Sequence, residues 1–430
     1  MTSRHLTSLL NVSLRVAGLV AKLALALFMG RYFSLEDLGI YGLIFGIVMM
    51  AVAILGFRLD YTVSRRLVSA TPLEAALKMR DQTYFYLVNY AVAAVLILLF
   101  WLGGPKALSA WLLLITFVLV VLESYGNMIY VNMNSLGRPT LANVLFFFRS
   151  GFWIVPILGL WILRPDFRTI DSVLMAWIIG AAGSVVVNLV LLRGLPWAET
   201  RGVAVDWDGI FHDLRKCIPI WIGGLGLSGG AYVDRFVVAH FLGLKLAGVA
   251  AFYFSFTYAL LTLVQSGVLT IAYPRMIKFR QAGDMRAFWK ETREAAISVA
   301  GFAGALSIGI GICVPLVGHL MHREELAAYA PTLWLMLAGI FIRSNADTLY
   351  YVLFASNRDV PVWLGNLLFL IPAFGFNALL VPIMGLNGIG VGAILSAILL
   401  LVWRGWFVMA PMRQGGRNLT SSRTEALENA

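Results

Sequence analysis

Seven ionisable residues lie inside stretches otherwise apolar enough to cross a bilayer: Lys22, Glu123, Arg149, Asp234, Arg235, Arg343 and Asp347. Lipid offers such groups no partner, so each must face a bundle interior or a wet cavity and is a functional candidate. Arg343 and Asp347 stand four residues apart, a spacing that puts both on one helix face and lets them satisfy each other. Asp234 and Arg235 are adjacent and point about 100° apart on a helix. Each is therefore expected to need a partner on another span. Lys22, Arg149 and Arg235 remain as the cations best able to reach a central cavity. Pairing of these three with Glu123 and Asp234, to lock helices together, is the structural alternative. Asp234, Glu123, Arg343 and Asp347 are assigned to ion coupling or to contacts between lobes.

Other motif-like strings carry less. Gly224-Leu-Gly226-Leu-Ser-Gly229 satisfies G-x-G-x-x-G, but it sits inside an apolar span with no preceding strand, so close helix contact or bending is expected instead of a dinucleotide. No G-x-x-x-x-G-K-[ST] occurs, which excludes a P-loop. His319 and His322 are too few for a metal site, and Cys217 and Cys313 imply neither a disulfide framework nor a metal. Glu36 and Asp37 read as solvated turn residues. No metal and no cofactor is expected, and the chain is not expected to be an enzyme.

The elements that must position the seven charges follow from composition. Of 430 residues, 60% are hydrophobic and 13% charged, where a soluble chain carries about 25% charged residues. The fold class is an all-α polytopic membrane protein. Stretches of about 20 apolar residues mark twelve transmembrane helices at 11–33, 38–57, 83–102, 107–131, 140–163, 172–193, 217–242, 246–272, 296–319, 330–355, 360–381 and 385–409. The three longer connections, 58–82, 194–216 and 273–295, are also the charged ones.

The net charge of +11 is a matter of topology, not of nucleic acid. With the N-terminus inside, most of the 33 Lys and Arg fall in cytoplasmic segments, Arg404 and the tail included, and few fall outside. Both termini are thus expected in the cytoplasm. Thr71-Pro72-Leu73-Glu74 reads as a helix start with a capping box. Residues 206–216 read as a short interfacial helix, and both segments are taken as solvated connectors. The polar tail 410–430 is expected to be disordered.

An internal repeat is legible. Residues 30–42 overlay 239–251, matching Leu35 with Leu244 and Gly39 with Gly248, and 134–144 resembles 355–366, matching Arg138 with Arg358. Each match falls at the same place in a six-plus-six plan, as expected for parallel repeats about an axis along the membrane normal. The domains are therefore 1–193 and 217–409 as six-helix lobes, 194–216 as the linker and 410–430 as the tail.

The same residues carry a resemblance. AYVDRFVVAHFLGLKLAGVAAFYFSFTYALLTLVQSGVLTIAYPRMIKF, GRYFSLEDLGIYGLIFGIVMMAVAILGF and NALLVPIMGLNGIGVGAILSAILLLVWR resemble bacterial polysaccharide flippases of the multidrug, oligosaccharidyl-lipid and polysaccharide (MOP) exporter superfamily. The resemblance implies a two-lobed, MATE-like transporter of the bacterial inner membrane. It implies movement of undecaprenyl-diphosphate-linked oligosaccharide from the cytoplasmic to the outer leaflet for polysaccharide biosynthesis, alongside a polysaccharide polymerase and export machinery. On that reading Lys22, Arg149 and Arg235 would hold the diphosphate, because guanidinium forks and ammonium groups suit phosphate oxygens. A negative interior would favour outward movement by about 2.3 kcal/mol per charge per 100 mV. The alternatives are a multidrug exporter of the superfamily, whose cavity should be acidic, and a membrane-embedded polysaccharide polymerase or glycosyltransferase, which should carry a longer external loop.

Overall fold

A computed structural model describes residues 2–103 and 109–428, with side chains of 2–9, 11–12 and 411–428 outside the description. Every regular element is helical. In chain order these are α1 (Thr2–Tyr32), α2 (Leu35–Leu55), α3 (Leu59–Leu67), α4 (Pro72–Gly103), α5 (Ala110–Ser135), α6 (Pro139–Phe147), α7 (Ile154–Leu163), α8 (Ile170–Leu191), α9 (Trp197–Thr200), α10 (Trp207–Val264), α11 (Thr270–Gln281), α12 (Met285–Leu320), α13 (Glu324–Ala328), α14 (Ala330–Ala355), α15 (Asp359–Met384) and α16 (Asn387–Glu428). A π-helical segment, Phe148–Phe152, joins α6 to α7, and another, Gln265–Leu269, joins α10 to α11.

Among the described residues, 10 helical runs are long and apolar enough to span a membrane. The run Trp207–Gln281 holds two spans, because Gly243 breaks it with φ 84° and ψ 174°, a conformation essentially confined to glycine. Helix α14 completes the twelve, although Arg343, Ser344, Asn345 and Asp347 make its centre too polar for hydropathy alone. The start of the fourth span at 107–108 lies outside the described residues. The backbone of α16 continues through the tail, where an irregular chain was expected, and its apolar part ends at Ala410.

Local sequence explains the helix starts. Ser34 Oγ accepts the Asp37 amide at 3.0 Å, and Asp284 Oδ1 accepts the Ala287 amide at 2.9 Å. The expected capping box is present: Glu74 N donates to Thr71 Oγ1 at 3.3 Å and Thr71 N to Glu74 Oε2 at 2.9 Å. Each such cap contributes about 1 kcal/mol. The expected short helix at 206–216 is instead the opening of α10, with Asp206 Oδ1 accepting the Gly209 amide at 2.9 Å.

Contacts divide the chain into two units, Met1–Ser228 with Leu244–Ser255, and Gly229–Gly243 with Phe256–Ala430. In the first, the connector before α10 is tightly held, and the stretch 206–216, expected to be solvated, is anchored as well, with Asp213 4% exposed. Arg80 of α4 donates to the carbonyls of Thr200, Val203 (2.7 Å) and Ala204 (3.1 Å). Arg66 pairs with Asp213 at 2.5 Å, and the Trp221 indole donates to Ala53 O at 3.1 Å. The close approach of α2 to the turn after Gly243 needs glycine on both sides. A Cβ on Gly39 would sit 2.3 Å from Leu244 O, and one on Gly248 would sit 1.8 Å from Leu35 O. These are the residues matched in the repeat, and the contact is reciprocal.

The second repeat match also survives as geometry. Gly137 (φ 74°) and Asn357 (φ 54°) are both left-handed, and each precedes the matched arginine. Arg138 N donates to Met133 O and Arg358 N to Leu353 O, both at 3.0 Å, the same helix-ending motif.

Candidate functional site

In the first unit the site forms where α1 crosses the π-helical segment Phe148–Phe152. The crossing is close because two glycines meet: a Cβ on Gly151 would lie 2.8 Å from Gly18 Cα. One turn beyond Gly18 on the same face stands Lys22, and within the π segment stands Arg149. Single-turn π segments frequently mark functional sites.

Arg149 is 5% exposed, and its Nε lies 3.2 Å from Glu123 Oε2. Its Nη1 donates to Glu123 O at 3.1 Å, and the Trp177 indole donates to Glu123 Oε1 at 2.7 Å. The guanidinium reaches this position by crossing Gly126, where a Cβ would meet Arg149 Nη1 at 2.9 Å. Arg149 is thus clamped on α5 by a carboxylate that is itself fully engaged. Lys22 is different. It is half-buried, its Nζ lies 5.8 Å from the Phe45 ring centroid, and it has no ion pair among the described residues. It remains within the electrostatic field of both Glu123 and Arg149.

In the second unit, Asp234 Oδ1 accepts the Arg235 backbone amide at 2.9 Å, while the Arg235 guanidinium, buried at 6% exposure, lies 4.8 Å from the Tyr232 ring centroid. Glycines 229 and 230 seat this part of α10 on α15: a Cβ at either would strike Leu370 or Phe369. The G-x-G-x-x-G string therefore ends in the helix contact expected of it.

The predicted Arg343–Asp347 pair does not form. Asp347 Oδ1 accepts Arg404 Nη1 at 2.7 Å, and its Oδ2 accepts Gln265 Nε2 at 3.2 Å, from the second π segment. Arg404 also donates to Ala346 O and to Asn366 Oδ1, both at 3.0 Å, and is 1% exposed. An arginine on α16, with five donors in a rigid fork, satisfies three acceptors at once. Arg343 has instead been left against the Phe369 ring at 4.7 Å, its Nε buried without a hydrogen-bond partner. Arg404, which the charge count groups with the cytoplasmic set, lies within the last span, 385–409; its sequence signal is the apolar GWFVMA that follows it.

Chemically, the buried groups are dominated by cations. In the first unit Lys22 and Arg149 accompany Glu123, and in the second Arg235, Arg343 and Arg404 accompany Asp234 and Asp347; Glu123 and Asp347 are already held by arginine. Each unit therefore has one more cation than acid among these residues.

No family model and no curated sequence matches the chain. Solved structures do. A multidrug resistance MATE family transporter of the MOP superfamily is 14% identical, with 94% of this chain and 99% of that one covered at a TM-score of 0.71. The lipid II flippase MurJ is 13% identical, with 94% and 87% covered at a TM-score of 0.71. A Vibrio cholerae MATE transporter is 14% identical, with 96% and 99% covered at a TM-score of 0.57. The fold is therefore shared with these transporters, in a chain with the apolar helices of a multi-pass membrane protein.

Proposed function

We propose that the chain is a flippase that carries a lipid-linked oligosaccharide, with undecaprenyl diphosphate as the anchor, from the cytoplasmic to the outer leaflet of a bacterial inner membrane. The observation that supports this reading is the cationic excess within a transporter-like fold, and in particular Lys22, a half-buried ammonium with no carboxylate ion pair among the described residues. Lys22 is assigned the diphosphate as a point charge, and Arg235 and Arg343 are the matching cations of the second unit. Arg149 takes a supporting role here, because Glu123 holds it. The working cycle is alternating access by the lobes 1–193 and 217–409, joined by 194–216, with both termini cytoplasmic. Asp234 is the first choice for any coupling to protons or sodium, since Glu123 and Asp347 are engaged by arginines.

A multidrug exporter is the second reading, favoured by the equal fold similarity to a MATE transporter. A cationic drug would require acidic groups facing it, and of the three described intramembrane acids Glu123 and Asp347 are held by arginine ion pairs, while Asp234 accepts the Arg235 backbone amide. Deleting the gene separates the readings. The flippase reading expects completed lipid-linked repeat units to accumulate in the cytoplasmic leaflet. Unpolymerised units in the outer leaflet would support a polymerase instead, and drug sensitivity with unchanged lipid-linked sugars would support the exporter.

A further inference from the structure

Away from these buried charges, α15 and α16 enclose an apolar groove of about 540 Å³. Its walls include Leu368, Ile371, Leu399, Val402, Trp403 and Trp406. Ile371, Val402 and Trp406 are 64%, 62% and 60% exposed. Both helices are long and apolar enough to span a membrane, so hydrocarbon is the medium expected around this groove. The groove ends at Phe407, and Phe407 also lines a second cavity of about 200 Å³ that contains Arg280 and Arg358.

The two arginines are placed for an anion. Arg358 stands at the N-cap of α15, where unsatisfied amides add to its charge. Its Nη1 donates to Phe407 O at 2.8 Å, which ties the basic cavity to the end of the groove. Arg280 lies over the Phe288 ring at 5.7 Å and against the Met285 sulfur. Neither forms an ion pair with a carboxylate among the described residues.

We propose that this continuous site binds one anionic glycerophospholipid, with an acyl chain in the groove between α15 and α16 and its phosphate on Arg280 and Arg358. Basic pockets between spans at one membrane face take acidic head groups in this way. The apolar wall supplies affinity for any chain of suitable length; the arginines supply the preference for charge. The site does not depend on what the transporter carries.

Native mass spectrometry of the full chain, titrated with dioleoyl phosphatidylglycerol and with dioleoyl phosphatidylcholine, tests it. The wild type should prefer phosphatidylglycerol by roughly 30-fold, from two basic residues at an anionic head group. Arg280→Gln with Arg358→Gln should abolish the preference, and Arg280→Lys with Arg358→Lys should restore it, which separates lost charge from a misfolded protein. Leu399→Trp, filling the groove, should weaken binding of both lipids alike. Equal affinity for the two lipids in the wild type, a preference that survives the double glutamine variant, or equally tight binding of tail-less glycerol phosphate would overturn the proposal. So would displacement of phosphatidylglycerol by equimolar undecaprenyl phosphate, which would make the groove a substrate site.

Discussion

Replacing Arg404 by methionine removes the charged group that, among the described residues, pairs with Asp347, while keeping most of the side-chain volume. The guanidinium is 1% exposed and donates to Asp347 Oδ1 at 2.7 Å, Ala346 O at 3.0 Å and Asn366 Oδ1 at 3.0 Å. Its loss leaves a carboxylate at 6% exposure supported by Gln265 alone. Breaking a buried pair from one side costs about 3–5 kcal/mol, because the other charge is stranded. Removing both charges together is far milder, so Arg404→Met with Asp347→Asn should recover most of the loss. The assay is reversible unfolding of the purified protein in mixed micelles, followed through a double-mutant cycle. A coupling energy above about 2 kcal/mol is expected for groups in one network. A single variant that loses under about 1 kcal/mol, or a double variant no better than the single one, would refute the reasoning.

Lys22→Gln should eliminate transport with the melting temperature and membrane level retained, whereas Arg149→Gln should lower stability by about 3–5 kcal/mol by stranding Glu123; transport and thermal melts of the two variants, measured together, check the contrast. Gly248→Val should cost at least about 1–3 kcal/mol through overpacking against Leu35 O, and adding Gly39→Val should cost less than a second equal increment, since both relieve one approach; a melt series reads this. Glu74 is held below the usual carboxylate range by the Thr71 amide and hydroxyl. A depressed folded value means its contribution is present above about pH 4.3 and is lost as pH falls through the lowered value. The melting advantage of the wild type over Glu74→Ala should therefore be full at pH 7 and shrink as the pH is lowered through the acid range.

Much of the architecture was legible because bilayer thickness sets span length and local chemistry sets helix ends. Apolar runs located the twelve spans, Thr71 and Glu74 marked a cap, and Gly39 with Gly248 marked a repeat whose two copies touch. What the sequence left hidden was the choice of distant partners. Arg343 and Asp347 have the right spacing for each other, but spacing says nothing of an Arg404 with better fork geometry on another helix. The π segments were equally invisible, since one extra residue per turn at FRSGF or QSGVL leaves no periodic trace. The stretch 206–216 reads as solvated by composition, yet Asp213 within it is buried against Arg66, and the segment before it is held by three carbonyls that accept from Arg80.

The central claim is that the cationic interior moves a lipid diphosphate. Purified chain reconstituted into proteoliposomes with a labelled undecaprenyl-diphosphate oligosaccharide in one leaflet tests it directly, with an enzyme that cleaves the sugar only from the opposite side as the readout. The account predicts that cleavage requires the protein, that Lys22→Gln abolishes it, and that organic cations are not transported under the same conditions. Transport of organic cations with no movement of the lipid-linked sugar, or full cleavage by the Lys22→Gln variant, would contradict it.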